Sequence, residues 1–105
     1  MSNQAAIFKA LSDPSRLALF QRLTQGEAAV KDLTAGSPIS QPAVSQHLAA
    51  LKAAGLVSVR KDGRLVYYAV RAEGLKPLVD WLTHYQAFWP ARIDRLKSLL
   101  DRMEP

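Results

Sequence analysis

A chain of 105 residues and 11.6 kDa has room for one small domain and cannot enclose two independent cores. With 49% hydrophobic and 22% charged residues it has a globular composition, and no apolar run reaches the roughly 18 residues of a membrane span. Its lack of cysteine excludes disulfides, thiolate metal sites and cysteine nucleophiles, while a net charge of +5 permits a polyanionic partner without requiring one.

Residues 1–11 read as a short helix carrying Ile7, Phe8 and Leu11 on one stripe. Asp13 is placed to cap a second helix whose first position is Pro14, where a missing N–H costs nothing. Leu17, Phe20 and Leu23, with Leu19 alongside, form the expected inner face of that helix, and Gly26 lies just beyond its end. A third, short helix is expected over Glu27–Thr34, with Val30 and Leu33 inward, followed by a turn at Ala35-Gly36-Ser37-Pro38. Ser40 then stands as the cap of a fourth helix, Gln41–Ala54, which Gly55 ends.

At Leu56 the apolar period falls from about 3.6 to about 2. Val57–Arg60 and Leu65–Val70 read as strands joined through Lys61–Arg64, with Asp62-Gly63 as the expected two-residue turn. Beyond Gly74 the helical period returns. Leu75, Leu78, Leu82 and Tyr85 share one stripe and Ile93, Leu96, Leu100 and Met103 another, with Pro90 expected to kink or split the segment. The expected fold class is mainly α (α+β). It comprises four helices, a two-stranded hairpin and a long kinked C-terminal helix, as a single domain over residues 1–105.

A short helix, a turn and a second helix are the layout of a helix-turn-helix. At about 100° per residue, Val44, Leu48 and Leu51 share the buried face of the fourth helix, and Pro42, Gln46, Ala49 and Ala53 lie opposite. Gln41 and Ser45 fall on one flank and His47 on the other, and Lys52 follows beyond Gln46. This outward face carries no acid. Small residues allow close approach to a duplex, while amides and hydroxyls can bond base edges. A neutral helix that packs on another protein accounts for this segment alone equally well. The hairpin decides between them: Arg60, Lys61 and Arg64 crowd one tip against Asp62 alone, as in the wing of a winged helix-turn-helix. The competing explanation is a charged turn that keeps an edge strand soluble.

Four stretches carry a family resemblance. They are Leu11-Ser12-Asp13-Pro14-Ser15-Arg16-Leu17, Ile39-Ser40-Gln41-Pro42-Ala43-Val44-Ser45-Gln46-His47-Leu48, Leu51-Lys52-Ala53-Ala54-Gly55-Leu56-Val57, and Arg60-Lys61-Asp62-Gly63-Arg64 with Tyr67-Tyr68. Together they resemble the ArsR/SmtB family of bacterial winged-helix repressors over about residues 5–103. The resemblance implies a homodimer that binds double-stranded operator DNA with its fourth helix in the major groove. It carries base contacts onto Ser40, Gln41, Ser45 and Gln46, and Pro42 departs from the polar residue usual there. With the flanking His47 and Lys52 and the wing residues Arg60, Lys61 and Arg64, these form the expected DNA-binding set. The resemblance also implies pairing through the first and last helices. The expected dimer surface is Ile7, Phe8, Leu78, Trp81, Leu82, Tyr85, Phe88, Trp89, Ile93 and Leu96.

The metal sites known in that family do not carry over. Where its thiolate site requires cysteine, this chain has Glu27 to Asp32 with no Cys, and in the last helix Asp80 is followed two residues later by Leu82. His84 has no second histidine on its helix, so no metal and no cofactor are expected. In place of a sensor stands a dense aromatic stretch, Trp81, Tyr85, Phe88 and Trp89, read as dimer packing in preference to an effector pocket. The sequence leaves open whether a small-molecule inducer exists. No nucleophile–base pair or phosphate loop can be assembled, so an enzyme is not expected. The expected protein is a cytoplasmic, sequence-specific repressor with no membrane association. The alternatives are a nonspecific architectural DNA binder and a protein-interaction module. Charge placement favours DNA: residues 35–71 hold five bases and one acid, four of the five net charges.

Overall fold

A computed structural model of the protein describes the backbone of residues 3–84 and 89–103. Helix α1 (Asn3–Leu11) and helix α2 (Pro14–Leu23) lead into a two-residue strand β1 (Ala28–Ala29), helix α3 (Val30–Ala35) and helix α4 (Gln41–Ala53). Strands β2 (Val57–Asp62) and β3 (Leu65–Val70) follow, and after a 3-10 turn at Ala72–Leu75 come helices α5 (Lys76–His84) and α6 (Trp89–Met103). The result is the expected helix-rich winged fold, built around a small antiparallel sheet in the order β1-β3-β2.

The local signals act as the side chains dictate. The Asp13 carboxylate accepts from the amides of Ser15 at 2.8 Å and Arg16 at 3.0 Å, satisfying two otherwise orphaned donors of α2. Arg16 then reaches back to donate to the Ala10 carbonyl at 2.6 Å and the Lys9 carbonyl at 3.3 Å, which ties the start of α2 to the end of α1. At the other end of α4, the Gly55 amide donates to the Lys52 carbonyl and the Leu56 amide to the Leu51 carbonyl, with Gly55 at φ +79°. That is a Schellman cap. It turns the chain into β2 and buries Leu56 against the helix it has just left.

Val44, Leu48, Leu51 and Leu56 are fully buried and join Ile7, Leu19, Phe20, Leu23, Leu33 and Val57 in one core. The recognition-type helix is thus clamped along its inner stripe, leaving its outer face rigid and free. Gly74 supports the same corner from the C-terminal side: a Cβ at this position would stand 1.7 Å from the Gly55 carbonyl oxygen.

The structure departs from the sequence expectations at four places. The third helix starts at Val30 and not at Glu27, because Ala28 and Ala29 are extended and pair with Tyr68 and Tyr67 of β3. Two alanines offer no periodicity that would reveal a strand, and the sheet therefore has three strands, not two. The hairpin turn is Gly63-Arg64, one residue later than expected. β2 continues to Asp62, which pairs with Leu65, and Gly63 takes φ +61° while no described non-glycine residue has a positive φ. A glycine at the first central position needs only one left-handed residue, so Asp62 is spared that conformation. Leu17, expected inside, is 39% exposed, and Leu19, Phe20 and Leu23 carry the buried face. Ile7, expected on a dimer surface, lies in the protomer's own core at 1% exposure. In the described C-terminal part, α5 and α6 are two helices, one of the two outcomes expected of Pro90, which occupies the first turn of α6, where a missing N–H is tolerated.

Candidate nucleic-acid interface

Helix α4 presents Gln41, Pro42, Ser45, Gln46, Ala49, Lys52 and Ala53 as an exposed face opposite its buried stripe. The Ser40 hydroxyl caps the helix by accepting from the Ala43 amide at 3.4 Å. Ser40 therefore helps to start the helix as well as standing at its exposed entrance. His47 is only partly exposed and lies close enough to Asp13 to act on its charge, so it faces the α2 cap from the flank of α4. The Arg16 amide is the largest cause holding the Asp13 carboxyl below its usual value. The Ser15 amide and His47 add to that effect.

The three basic residues of the wing divide into two kinds. Lys61 and Arg64 are exposed and have no ion-pair partner among the described residues. Arg60 is committed to the protein. Its guanidinium donates to both carboxylate oxygens of Glu27, at 2.6 and 3.1 Å, and lies 4.5 Å from the centre of the Tyr67 ring. Asp62 adds a longer contact at 3.8 Å. The pairing pattern explains this: Arg60 is opposite Tyr67, and Tyr67 is opposite Ala29, so Arg60 crosses over the ring of the central strand to reach the residue that leads into β1. The hydrogen bond from Arg60 is the main cause holding the Glu27 carboxyl below its usual value, and the same bond raises Arg60. Arg60 thus braces the wing against the sheet, where Lys61 and Arg64 do not. Glu27 could not be identified as its partner from sequence, because only the unforeseen strand β1 brings it there.

Between the wing and α4 lies a cleft of about 210 Å³ lined by Ala29, Val30, Lys31, Gln41, Ser45, Arg64, Leu65, Val66 and Tyr68. It gathers two of the expected helix contacts, Gln41 and Ser45, with the wing residue Arg64. It also adds Lys31, which sequence reasoning did not single out. The available signal was Lys31's position two residues into the first helix of the helix-turn-helix, where a cation can face a phosphate.

Helix α5 packs on α1. The Trp81 ring stands edge-on to Phe8 with centroids 5.5 Å apart and planes at 82°. Phe8 itself remains 47% exposed, and on α5 Val79 and Leu82 are 54% and 38% exposed, whereas Leu78 packs partly into the core. On α6, Leu96, Leu99 and Leu100 are each more than half exposed. Tyr85 and Phe88 lie outside the described residues, as do the side chains of Trp89 and Ile93. Among the described residues, no three His, Asp or Glu side chains converge as a metal site would require, and no helix is long and apolar enough to cross a membrane.

A rigid helix with an acid-free outer face, preceded by a short helix and flanked by a basic hairpin, defines a winged helix-turn-helix DNA-binding regulator. Comparison with known proteins gives the family. The model of "Bacterial regulatory protein, arsR family" matches residues 13–59. The transcriptional repressor SdpR of Bacillus subtilis is 32% identical over 75% of this chain and 88% of its own length. The HTH-type transcriptional regulator Rv2034 of Mycobacterium tuberculosis is 38% identical over 90% of this chain and 85% of its own. Among solved structures, an ArsR-like transcriptional regulator from Rhodococcus sp. RHA1 superposes with a TM-score of 0.73 at 31% identity, covering 92% of each chain. The chain belongs to the ArsR family of bacterial regulatory proteins.

Proposed function

We propose that the protein is a homodimeric, sequence-specific repressor acting in the cytoplasm on a palindromic operator. In this reading α4 enters the major groove with Gln41, Ser45 and Gln46 toward the base edges, and Pro42 supplies an apolar contact. Ser40 and the α4 N-terminus approach the backbone, and Lys52, Lys61 and Arg64 contact flanking phosphates. The observation that carries the reading is the outer face of α4, which has no acidic side chain and adjoins a wing with two cations that have no ion-pair partner among the described residues. The repressor named among its relatives supports the direction of regulation.

Dimerisation is supported by the exposed apolar side chains Phe8 of α1, Val79 and Leu82 of α5, and Leu96, Leu99 and Leu100 of α6. A second copy covering this face would present two α4 helices to successive turns of DNA, about 34 Å apart. The seating of Trp81 on Phe8 supports aromatic packing over an effector pocket at this end. With no cysteine in the chain, thiolate metal sensing is not part of the proposal.

A gel-shift titration at fixed salt, with the protein's own upstream DNA against a scrambled duplex, tests the reading. At least about a 10³-fold preference is expected for a specific regulator. Equal affinities point to an architectural binder, and negligible affinity for both to a protein-interaction module; either overturns the proposal.

A further inference from the structure

The cleft between α3, the first turns of α4 and the wing combines features that no single element supplies. Two cations face it from different parts of the fold, Lys31 from α3 and Arg64 from the hairpin turn, and no acidic residue lines it. Both side chains are exposed and neither has an ion-pair partner among the described residues. Glu27, the acid that leads into this corner, already has its charge taken up by Arg60. The Ser45 hydroxyl and the Gln41 amide reach the same space, and neither side chain hydrogen-bonds within the described protein. At about 210 Å³ the cleft falls below the 300–1,000 Å³ usual for a drug-sized ligand, which matches a compact anionic group.

We propose that this cleft is a single-phosphate site that holds one backbone phosphodiester of the bound DNA between Lys31 and Arg64. The site rests on the DNA-binding reading and deepens it. A phosphate held here is gripped by the wing and by the helix-turn-helix at once, so it sets how deeply α4 enters the groove. Lys31 is a positioning residue: it touches backbone and no base, and it acts on sequence reading through the placement of α4.

The test uses a duplex selected from a random pool by the wild-type protein, with affinity measured across a salt series. Lys31→Gln should weaken binding by up to about eightfold near 0.1 M salt, the equivalent of one phosphate contact, and flatten the salt slope by up to about one. Lys31→Arg should restore both. Because the two cations share one phosphate, the Lys31→Gln/Arg64→Gln double variant should lose about one unit of slope and not two. Ethylation interference should show one phosphate whose modification blocks the wild type but no longer matters to the Lys31→Gln/Arg64→Gln double variant. Lys76→Gln, on a distant helix, should leave the slope unchanged. A wild-type slope in Lys31→Gln, or a loss of two units in the double variant, overturns the shared site and leaves the DNA-binding reading intact. A wild type that enriches no duplex overturns both.

Discussion

Arg60 donates to the Glu27 carboxylate from 33 positions away in the chain, 2.6 Å from the nearer oxygen, and its guanidinium lies over the ring of Tyr67. The contact closes the wing onto the edge of the sheet and pairs one of the positive charges that the sequence places in the hairpin.

The consequence is a difference between neighbouring arginines. Arg60→Gln should leave the salt dependence of DNA binding close to wild type, since that charge is already neutralised. Arg64→Gln should weaken binding to all sequences and flatten the slope by up to about one. Glu27→Gln should act in the opposite sense, freeing Arg60 and tightening binding to any duplex with a steeper slope. Fluorescence anisotropy over a salt series reads all three, and equal losses for Arg60→Gln and Arg64→Gln would show that the brace does not hold in solution.

Acid should undo two of these contacts in a defined direction. The carboxyls of Asp13 and Glu27 both titrate below their usual values, Asp13 chiefly through the Arg16 amide and Glu27 chiefly through Arg60. A depressed folded-state pKa means that the stabilisation is complete above the unfolded value and is lost as pH falls through the folded one. Thermal melts of the wild type against Asp13→Ala and Glu27→Gln should therefore show a constant gap in Tm from neutral pH to about pH 5. The gap should narrow below about pH 4, where unfolded carboxylates take up protons first.

Two glycines should respond oppositely to the same substitution. Gly74→Ala places a methyl group 1.7 Å from the Gly55 carbonyl oxygen, so backbone must move at the corner joining α4, β2 and α5. A loss of about 1–3 kcal/mol or more in urea unfolding is expected. At Gly36 the added methyl meets only the Asp32 carbonyl at 3.7 Å, and φ is −88°. Gly36→Ala should be neutral or stabilise by up to about 1 kcal/mol.

Gln46 sits at the centre of the exposed face of α4, one turn from Pro42 and opposite the buried Val44, Leu48 and Leu51. Gln46→Ala should cost about 1–3 kcal/mol of discrimination between the selected duplex and one altered at the contacted base pair, with little change in salt slope. Competition binding with single-base variants measures it. A uniform loss over all variants would instead mark Gln46 as a backbone contact.

Leu82→Glu tests the proposed self-association without disturbing the core, because Leu82 is 38% exposed in the protomer. The variant should melt near the wild-type temperature, elute at monomer mass in light-scattering chromatography, and bind operator DNA far more weakly. A monomeric wild type would remove the patch from consideration as a dimer surface.

Much of the site is written locally in the chain. Asp13-Pro14, Ser40 and Gly55 mark helix ends because each satisfies or permits a backbone conformation within a few residues, and all three act as their chemistry requires. The stripe of Val44, Leu48 and Leu51 defines which face of α4 is free, since a helix with one apolar side has no other way to pack. The concentration of positive charge in residues 35–71 is likewise a property of the sequence by itself.

What only the tertiary structure decided are the relationships that cross strands. Ala28 and Ala29 have no strand pattern of their own and become β1 only because β3 offers them hydrogen-bonding partners. That strand delivers Glu27 to Arg60 and, through the chain that follows, Lys31 to Arg64. Two basic residues of the wing are alike in the sequence, and their different fates depend on which one an acid from a distant segment can reach. Ile7 and Phe8 adjoin in the chain, yet one is sealed in the core and the other meets Trp81 at the surface. Periodicity can say that a residue is apolar and on a stripe. Whether its partner is the same protomer or another molecule depends on how α1 is rotated against its neighbours, and packing alone sets that angle.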